Sequence, residues 1–344
     1  MKTKIRKTYN YLLRFLILAI TFGFVYDQVF YHHDFSLIIQ DFHDRMNNKA
    51  FLIALLVVLL MMLLNWGVEA MKWKYLIRKI EHISLLTSFK ATLTGVAVSS
   101  FTPNRIGDYL GRVFILEKGN RIQGVLITII GSVSQFLITF ILGSLGIAFF
   151  VFQYKVPISE YLGISLRLFD FLYAGLGIVT VSLYVLSILL FLNVSLITGL
   201  IRKIVKKPRG KAAKYLETFT FYTPRELINV LLFSALRFFF FSLQFYILLR
   251  VFNVPVPLWN GLIIIAMIFF VVTVVPTVAI TELGIRGSIA VFLLNTYFEH
   301  EYMSLSGIAP GAFAASSSLW LINLAIPALM GAIFVFNLKF FRKK

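Results

Sequence analysis

The chain has 344 residues, of which 59% are hydrophobic and only 14% charged, with 36 Phe, a mean hydropathy of +0.86 and a net charge of +18. Soluble domains carry about 45–50% apolar and about 25% charged residues, so a water-soluble enzyme, a secreted module and a disordered tail are excluded. The basic residues sit in clusters between apolar runs instead of lining one face, which excludes a nucleic-acid-binding surface and points to an integral membrane protein.

A helix needs about 20 apolar residues to cross a hydrocarbon core of about 30 Å. Every span must be helical, because lipid offers no partner to an open backbone group. The first apolar run, about 11–30, follows Lys2, Lys4, Arg6 and Lys7. No small-residue cleavage site follows Val25, so it reads as an uncleaved first span. The second, about 51–71, leads into Asn65, Glu69 and Lys72 at i, i+4 and i+7, where a local ion pair at the cytoplasmic interface is expected. Residues 88–101 are too short to cross alone and run into Thr102-Pro103-Asn104-Arg105-Ile106-Gly107-Asp108 and then Gly111-Arg112. A full crossing would put Arg105, Arg112, Lys118 and Arg121 outside, against the charge bias. A re-entrant hairpin over about 88–122, entering from and returning to the cytoplasm, removes that conflict.

Runs at about 124–152 and 171–192 supply the third and fourth spans. Ser132, Gln135 and Thr139, beside Gly131, Gly143 and Gly146, match ordinary packing chemistry between membrane helices. The connection of about 193–225 holds eight basic residues from Arg202 onward and serves as a topology signal. The fifth span, about 227–252, carries Ser234, Arg237 and Gln244 on one face, which must look into the bundle while the Phe run 238–241 takes lipid. Arg237 suits a substrate phosphate or carboxylate, and equally an ion pair with Glu69, Asp108 or Glu282. A second hairpin, about 260–298, breaks at Pro276 and Gly284 as the first breaks at Pro103 and Gly107; after its break only about ten apolar residues precede the acidic 299–301 segment. The sixth span is about 309–338, where Ser316, Ser317, Ser318 and Asn323 are candidates for a cavity wall.

Alternate assignment of the loops places most of the 33 Lys and Arg on one side and leaves Arg237 and Arg286 within the membrane. Both termini are then cytoplasmic, in a multi-pass protein of the cell inner (plasma) membrane. The fold expected is all-α over residues 1–344, as one polytopic domain of six full transmembrane helices plus two oppositely inserted re-entrant hairpins. Each break carries a Pro, a Gly and an acid four residues before an Arg, Asp108/Arg112 and Glu282/Arg286. Matched breaks in two halves are the mark of an inverted repeat with a binding site between them, and helices restarting there point their free N–H groups at the cavity.

The segments Asn65 to Trp73, Thr102 to Arg112 and Pro276 to Gly287 resemble the flippase-like transmembrane region of the lysylphosphatidylglycerol synthase family, over about residues 50–338. The resemblance implies a role in moving a phospholipid between leaflets. Nothing follows Lys344, so the aminoacyl-transferring domain of the full-length synthases is not expected, and Gly287 stands where an acidic residue often follows the Arg of the second signature. Stand-alone relatives linked by name to polyprenol-phosphate glycosylation keep other lipids open.

The function expected is therefore a lipid translocase. Its substrate-binding residues would be Arg105, Asp108, Arg112, Arg237, Gln244, Glu282 and Arg286. The Arg side chains would hold a headgroup phosphate, and the two acids would orient them or receive a cationic head. The partner expected is a membrane phospholipid or lipid-linked substrate, with a homo-oligomer allowed and no nucleic acid. No Cys and only five His are present, and no cofactor or metal is expected. No P-loop, H-E-x-x-H or G-x-S-x-G motif supports soluble-style catalysis. The alternatives are a membrane-embedded transferase on a polyprenyl-phosphate-linked substrate, with Asp108 or Glu282 as base, and a non-transporting membrane scaffold.

Overall fold

A computed structural model describes residues 47–100, 102, 105–196, 215–275, 279–300 and 308–335, with six isolated residues outside these ranges. The described residues are helical, without strands: α1 (Lys49–Ile77), α2 (Leu85–Ser99), α3 (Ile106–Val113), α4 (Arg121–Gln153), α5 (Lys155–Leu162), α6 (Leu166–Leu192), α7 (Pro224–Val251), α8 (Leu258–Val274), α9 (Ala279–His300), α10 (Ile308–Trp320) and α11 (Ile326–Phe334). A π turn at Leu321–Ala325 joins the last two into one rod. Five units are long and apolar enough to cross a membrane: α1, α4, α6, α7 and the α10–α11 rod. They match the second to sixth spans expected; the first, 11–30, lies outside the described residues apart from isolated positions.

Local chemistry sets where these helices begin. Asn48, Ser84, Asn120 and Ser165 each accept a backbone N–H at the start of α1, α2, α4 and α6, satisfying donors that no helical turn reaches. Thr223 and Glu226 form a reciprocal capping box on α7. Glu226 also pairs with Arg78 and Lys79, each at 2.8 Å, so the end of α1 is tied to the start of α7. Nearby, the Tyr222 hydroxyl donates to the Leu76 carbonyl at 2.7 Å, and burial holds its pKa above the usual phenol range.

Both expected hairpins are helix–break–helix units whose arms run antiparallel. In the first, a Cβ on Gly111 would sit 2.7 Å from the Gly95 Cα, and one on Gly107 would sit 2.3 Å from the Val98 carbonyl oxygen. In the second, Asn260 near the start of α8 donates to the Tyr297 hydroxyl near the end of α9 at 3.1 Å. The second arm of the 260–298 hairpin is a helix of 22 residues, which holds Glu282, Arg286 and the apolar stretch of about ten residues after them. One detail corrects the sequence-based expectation. Neither glycine is a break: Gly107 is in the first turn of α3 and Gly284 lies inside α9. Their freedom from a Cβ serves different ends, since Gly107 permits contact with α2 whereas Gly284 faces open space. Pro103 and Pro276 lie outside the described residues.

The packing exchanges partners between the halves. The first hairpin's α2 lies against α11, and the second hairpin's α8 lies against α4, while α1 and α7 pack on each other at the centre. Glycine makes both crossed contacts close: Gly331 on α11 meets the Leu93 carbonyl of α2, and Gly143 and Gly146 on α4 meet the Ala266 and Ile263 carbonyls of α8. Close approach through small residues is how helices associate where lipid removes the usual hydrophobic drive. α6 sits at the edge, with only Phe169, Tyr184 and Phe191 buried and most of its remaining apolar side chains exposed.

Candidate functional site

The charged side chains of four helices converge on two carboxylates. Glu69 of α1 is the hub: its Oε1 accepts from Arg112 of α3 at 2.7 Å, and its Oε2 meets Lys72 at 2.8 Å and Arg237 of α7 at 3.0 Å. Arg112 turns its other edge to Asp108, donating from Nε and Nη2 at 2.7 Å each. Lys72 also reaches the Gly131 carbonyl at 3.2 Å and the Ser234 hydroxyl at 3.3 Å. The second node is Glu282 of α9, which binds Arg286 one turn on through Oε1 and Arg105 of the other hairpin through Oε2 at 2.6 Å. Both acid–Arg pairs expected from their four-residue spacing therefore form, and an inter-hairpin bridge links them.

Backbone geometry positions these groups. Arg105 precedes α3 in the left-handed conformation, φ 56° and ψ 27°, a region that costs a residue with a Cβ about 1–2 kcal/mol. Strain of this kind is kept where the surroundings over-determine it; here it accompanies the bridge to Glu282. Thr102 Oγ1 accepts the Gly107 N–H at 2.8 Å and caps the short helix. Gly95 is needed beneath Asp108, because a Cβ there would fall 2.2 Å from Asp108 Oδ1. Substituting Gly95→Ala is expected to push that carboxylate off Arg112 and to lower stability by about 1–3 kcal/mol. Denaturant unfolding of the purified protein in micelles checks this, and an unchanged midpoint would refute it.

Between the two nodes lies a cavity of about 580 Å³. Glu69, Lys72, Arg105, Arg112, Arg237, Glu282 and Arg286 line its polar side, and Phe136, Phe238, Phe241 and Phe269 form apolar wall. Arg237 stacks over the Trp66 ring at 4.9 Å and Arg286 over Phe241 at 5.7 Å, which lends each guanidinium a cation–π contact. Arg105, Val274 and Val275 are exposed and stand beside the two breaks, so the cavity opens there. The π turn contributes Asn323, whose Oδ1 accepts from Asn65 of α1 at 3.3 Å. Pro327, without an N–H, cannot complete a helical bond to the Asn323 carbonyl, which accounts for the irregular winding just before it. A larger depression, about 780 Å³, lies at the α1–α2 turn around Glu81 and His82. Its carboxylate is engaged by the backbone N–H groups of Glu117, Lys118 and Gly119 at 2.6–3.1 Å, and it serves as a loop anchor.

Of the residues expected at the site, Arg105, Arg112, Arg237, Glu282 and Arg286 line this one cavity and Asp108 braces Arg112. Gln244 does not join them. It is fully buried and donates to the Val58 carbonyl at 2.9 Å, holding α7 against α1. Seven residues from Arg237 is about 10 Å along a helix, so sharing its face does not bring Gln244 to the same depth. Ser132, Gln135 and Thr139, expected only to pack, also border the cavity. Glu69 and Lys72 form the ion pair expected of them, and the pair is also part of the cavity's buried floor, 4% and 1% exposed. Their spacing with Asn65 on one face of an apolar helix was the available signal. Phe238 and Phe241 turn inward and Phe239 outward, so the Phe run divides between cavity and exterior. Among the described residues no group of three or more His, Asp or Glu is arranged to hold a metal ion.

The match to the family model for the lysylphosphatidylglycerol synthase TM region runs from residue 11 to 306. The chain belongs to that family. Both hairpins and every charged residue of the cavity fall within the matched span, whereas Trp320 and Asn323 lie beyond it. Membership of the lysylphosphatidylglycerol synthase TM family, together with five helices of spanning length and apolarity, makes this a membrane protein. No curated protein and no solved structure matches the chain.

Proposed function

We propose that this protein binds the headgroup of an amphipathic lipid in the Arg-lined cavity and moves the lipid between the two leaflets of the cell inner membrane. The carrying observation is the cavity itself: cationic side chains from both helix–break–helix units meet at one space with Phe walls. Arginine forks bind phosphate oxygens in parallel pairs, and the aromatic walls suit the start of an acyl or prenyl chain. Arg237 stands midway along α7, a helix of spanning length. A charge at such depth is costly and is kept where it serves a ligand or partner.

In this reading the two helix–break–helix units are re-entrant hairpins inserted from opposite faces, and the halves α1–α4 and α7–α11 form an inverted repeat. The exchange of packing partners, α2 with α11 and α8 with α4, supports it. Rocking one half against the other about α1 and α7 would expose the cavity to alternate leaflets. The five described spans with the 11–30 run make six crossings, and each hairpin returns the chain to the side it left, so both termini are cytoplasmic.

Mass spectrometry of lipid retained through purification tests the site. A discrete lipid enriched in the wild type is expected to be lost in Arg286→Ala, a change that leaves Glu282 paired with Arg105. In reconstituted vesicles the same variant is expected to slow translocation of a fluorescent lipid at least about tenfold, the loss of one charge-assisted pair of about 1.5–3 kcal/mol. Bulk lipid alone in both samples, with equal translocation, would refute the reading.

A further inference from the structure

Resting on that reading, the charge balance of the cavity narrows the headgroup. Lys72, Arg105, Arg112, Arg237 and Arg286 face three carboxylates, Glu69, Asp108 and Glu282, which leaves the described cluster two positive charges in excess. All six carboxylate oxygens are engaged by these cations. An incoming ammonium group would therefore meet only carboxylates already paired with resident cations, within a net positive field.

The groups that remain available point the same way. The Nε–H groups of Arg237 and Arg286 and the indole N–H of Trp66 are buried without a hydrogen-bond acceptor among the described residues. Arg286 is 93% buried and Trp66 94% buried, since 7% and 6% of their surfaces are exposed. Arg237 lies over Trp66, and Arg286 lies over Phe241, one turn along α7 from Arg237. These donors thus border the same aromatic wall. A buried donor left without an acceptor is costly, and phosphate oxygens are the acceptors that also neutralise the excess charge. Two amide oxygens on the cavity lining, Asn65 Oδ1 and Gln135 Oε1, also lack a donor. They are neutral and suit headgroup hydroxyls.

We infer that the cavity is a receptor for a doubly negative phosphate, a phosphomonoester or a pyrophosphate carried on a lipid, and that it discriminates against zwitterionic and cationic headgroups.

The test is native mass spectrometry of the delipidated full-length chain in detergent at pH 8, where a phosphomonoester with a second pKa of about 6 is dianionic. The probes share dioleoyl chains: phosphatidic acid, phosphatidylglycerol, phosphatidylethanolamine and lysyl-phosphatidylglycerol, with inorganic pyrophosphate as a chain-free competitor. Phosphatidic acid is expected to bind about tenfold or more tightly than phosphatidylglycerol, and the other two more weakly still. Arg286→Gln is expected to remove that preference. Trp66→Phe, which keeps an aromatic ring beneath Arg237 while removing the N–H with the rest of the indole's five-membered ring, is expected to reduce it severalfold and stands in should the Arg variant fail to fold. Equal binding of phosphatidic acid and phosphatidylglycerol, or a preference unchanged in Trp66→Phe and in a folded Arg286→Gln, would overturn the dianion inference while lipid binding stands. Displacement of the lipid by pyrophosphate at matching concentration would keep the anion chemistry and overturn the lipid role. Binding of no probe would overturn both.

Discussion

Replacing Glu69 with Gln is expected to destabilise the fold by about 3–5 kcal/mol, the range for leaving a buried charge without its counter-ion. The side chain is isosteric, so packing is untouched and the change isolates charge. Lys72 and Arg237 have Glu69 as their carboxylate partner, whereas Arg112 keeps Asp108. After the substitution three cations crowd a floor where Glu69 and Lys72 are almost fully buried. Net stability of a folded domain is only about 5–15 kcal/mol, so the variant is expected to lose much of its monodisperse yield. Adding Lys72→Met should recover part of the loss, since it removes one of the stranded charges at similar volume. Denaturant titration of single and double variants in the same micelle measures both. A Glu69→Gln protein within about 0.5 kcal/mol of wild type, the ordinary range of a surface change, would mean the hub is hydrated and would remove the argument for a buried site.

Gly331→Val is expected to have the largest steric effect in the chain's described part. A Cβ at this position would stand 1.9 Å from the Leu93 carbonyl oxygen and 2.4 Å from its carbon. These are backbone atoms of α2, so no rotamer change relieves the overlap and the helix itself must move off α11. Overpacking ordinarily costs about 1–3 kcal/mol, and more where backbone has to shift. The consequence extends to the cavity, because two residues along α2 Gly95 supports Asp108, which holds Arg112. Lipid retention is therefore expected to fall together with the unfolding midpoint. Gly284→Ala is the control: it lies within α9 with nothing within 4 Å of the added Cβ, and is expected to stabilise by about 0.5–1 kcal/mol through lower backbone entropy of the unfolded chain. Parallel melting curves separate the two, and equal effects at both glycines would refute the packing account.

The difference between Gly331 and Gly284 shows where sequence reading stops. Both are glycines in apolar helices, and only the neighbouring backbone makes one indispensable. The same holds for charge. Asp108–Arg112 and Glu282–Arg286 were legible because a spacing of four residues is a statement about one helix. The Glu69 hub was not, since Arg112 and Arg237 reach it from 43 and 168 residues away on other helices. Gln244 failed in the opposite direction: its face was correct, but the two turns that separate it from Arg237 place it against Val58.

Hydropathy by itself determined that this chain is helical and membrane-embedded, where the five described spans fall, and that two shorter apolar segments come between them. These properties depend on transfer of contiguous residues into lipid, which is additive along the chain. The tertiary structure alone decided that the two segments meet, that Glu69 and Lys72 belong to their cavity, and that Arg105 bridges one hairpin to the other. Those contacts arise from close approach between helices distant in sequence, set by which glycines admit a neighbouring backbone and by the need of each buried charge for a partner. Neither requirement leaves a periodic trace in the order of residues.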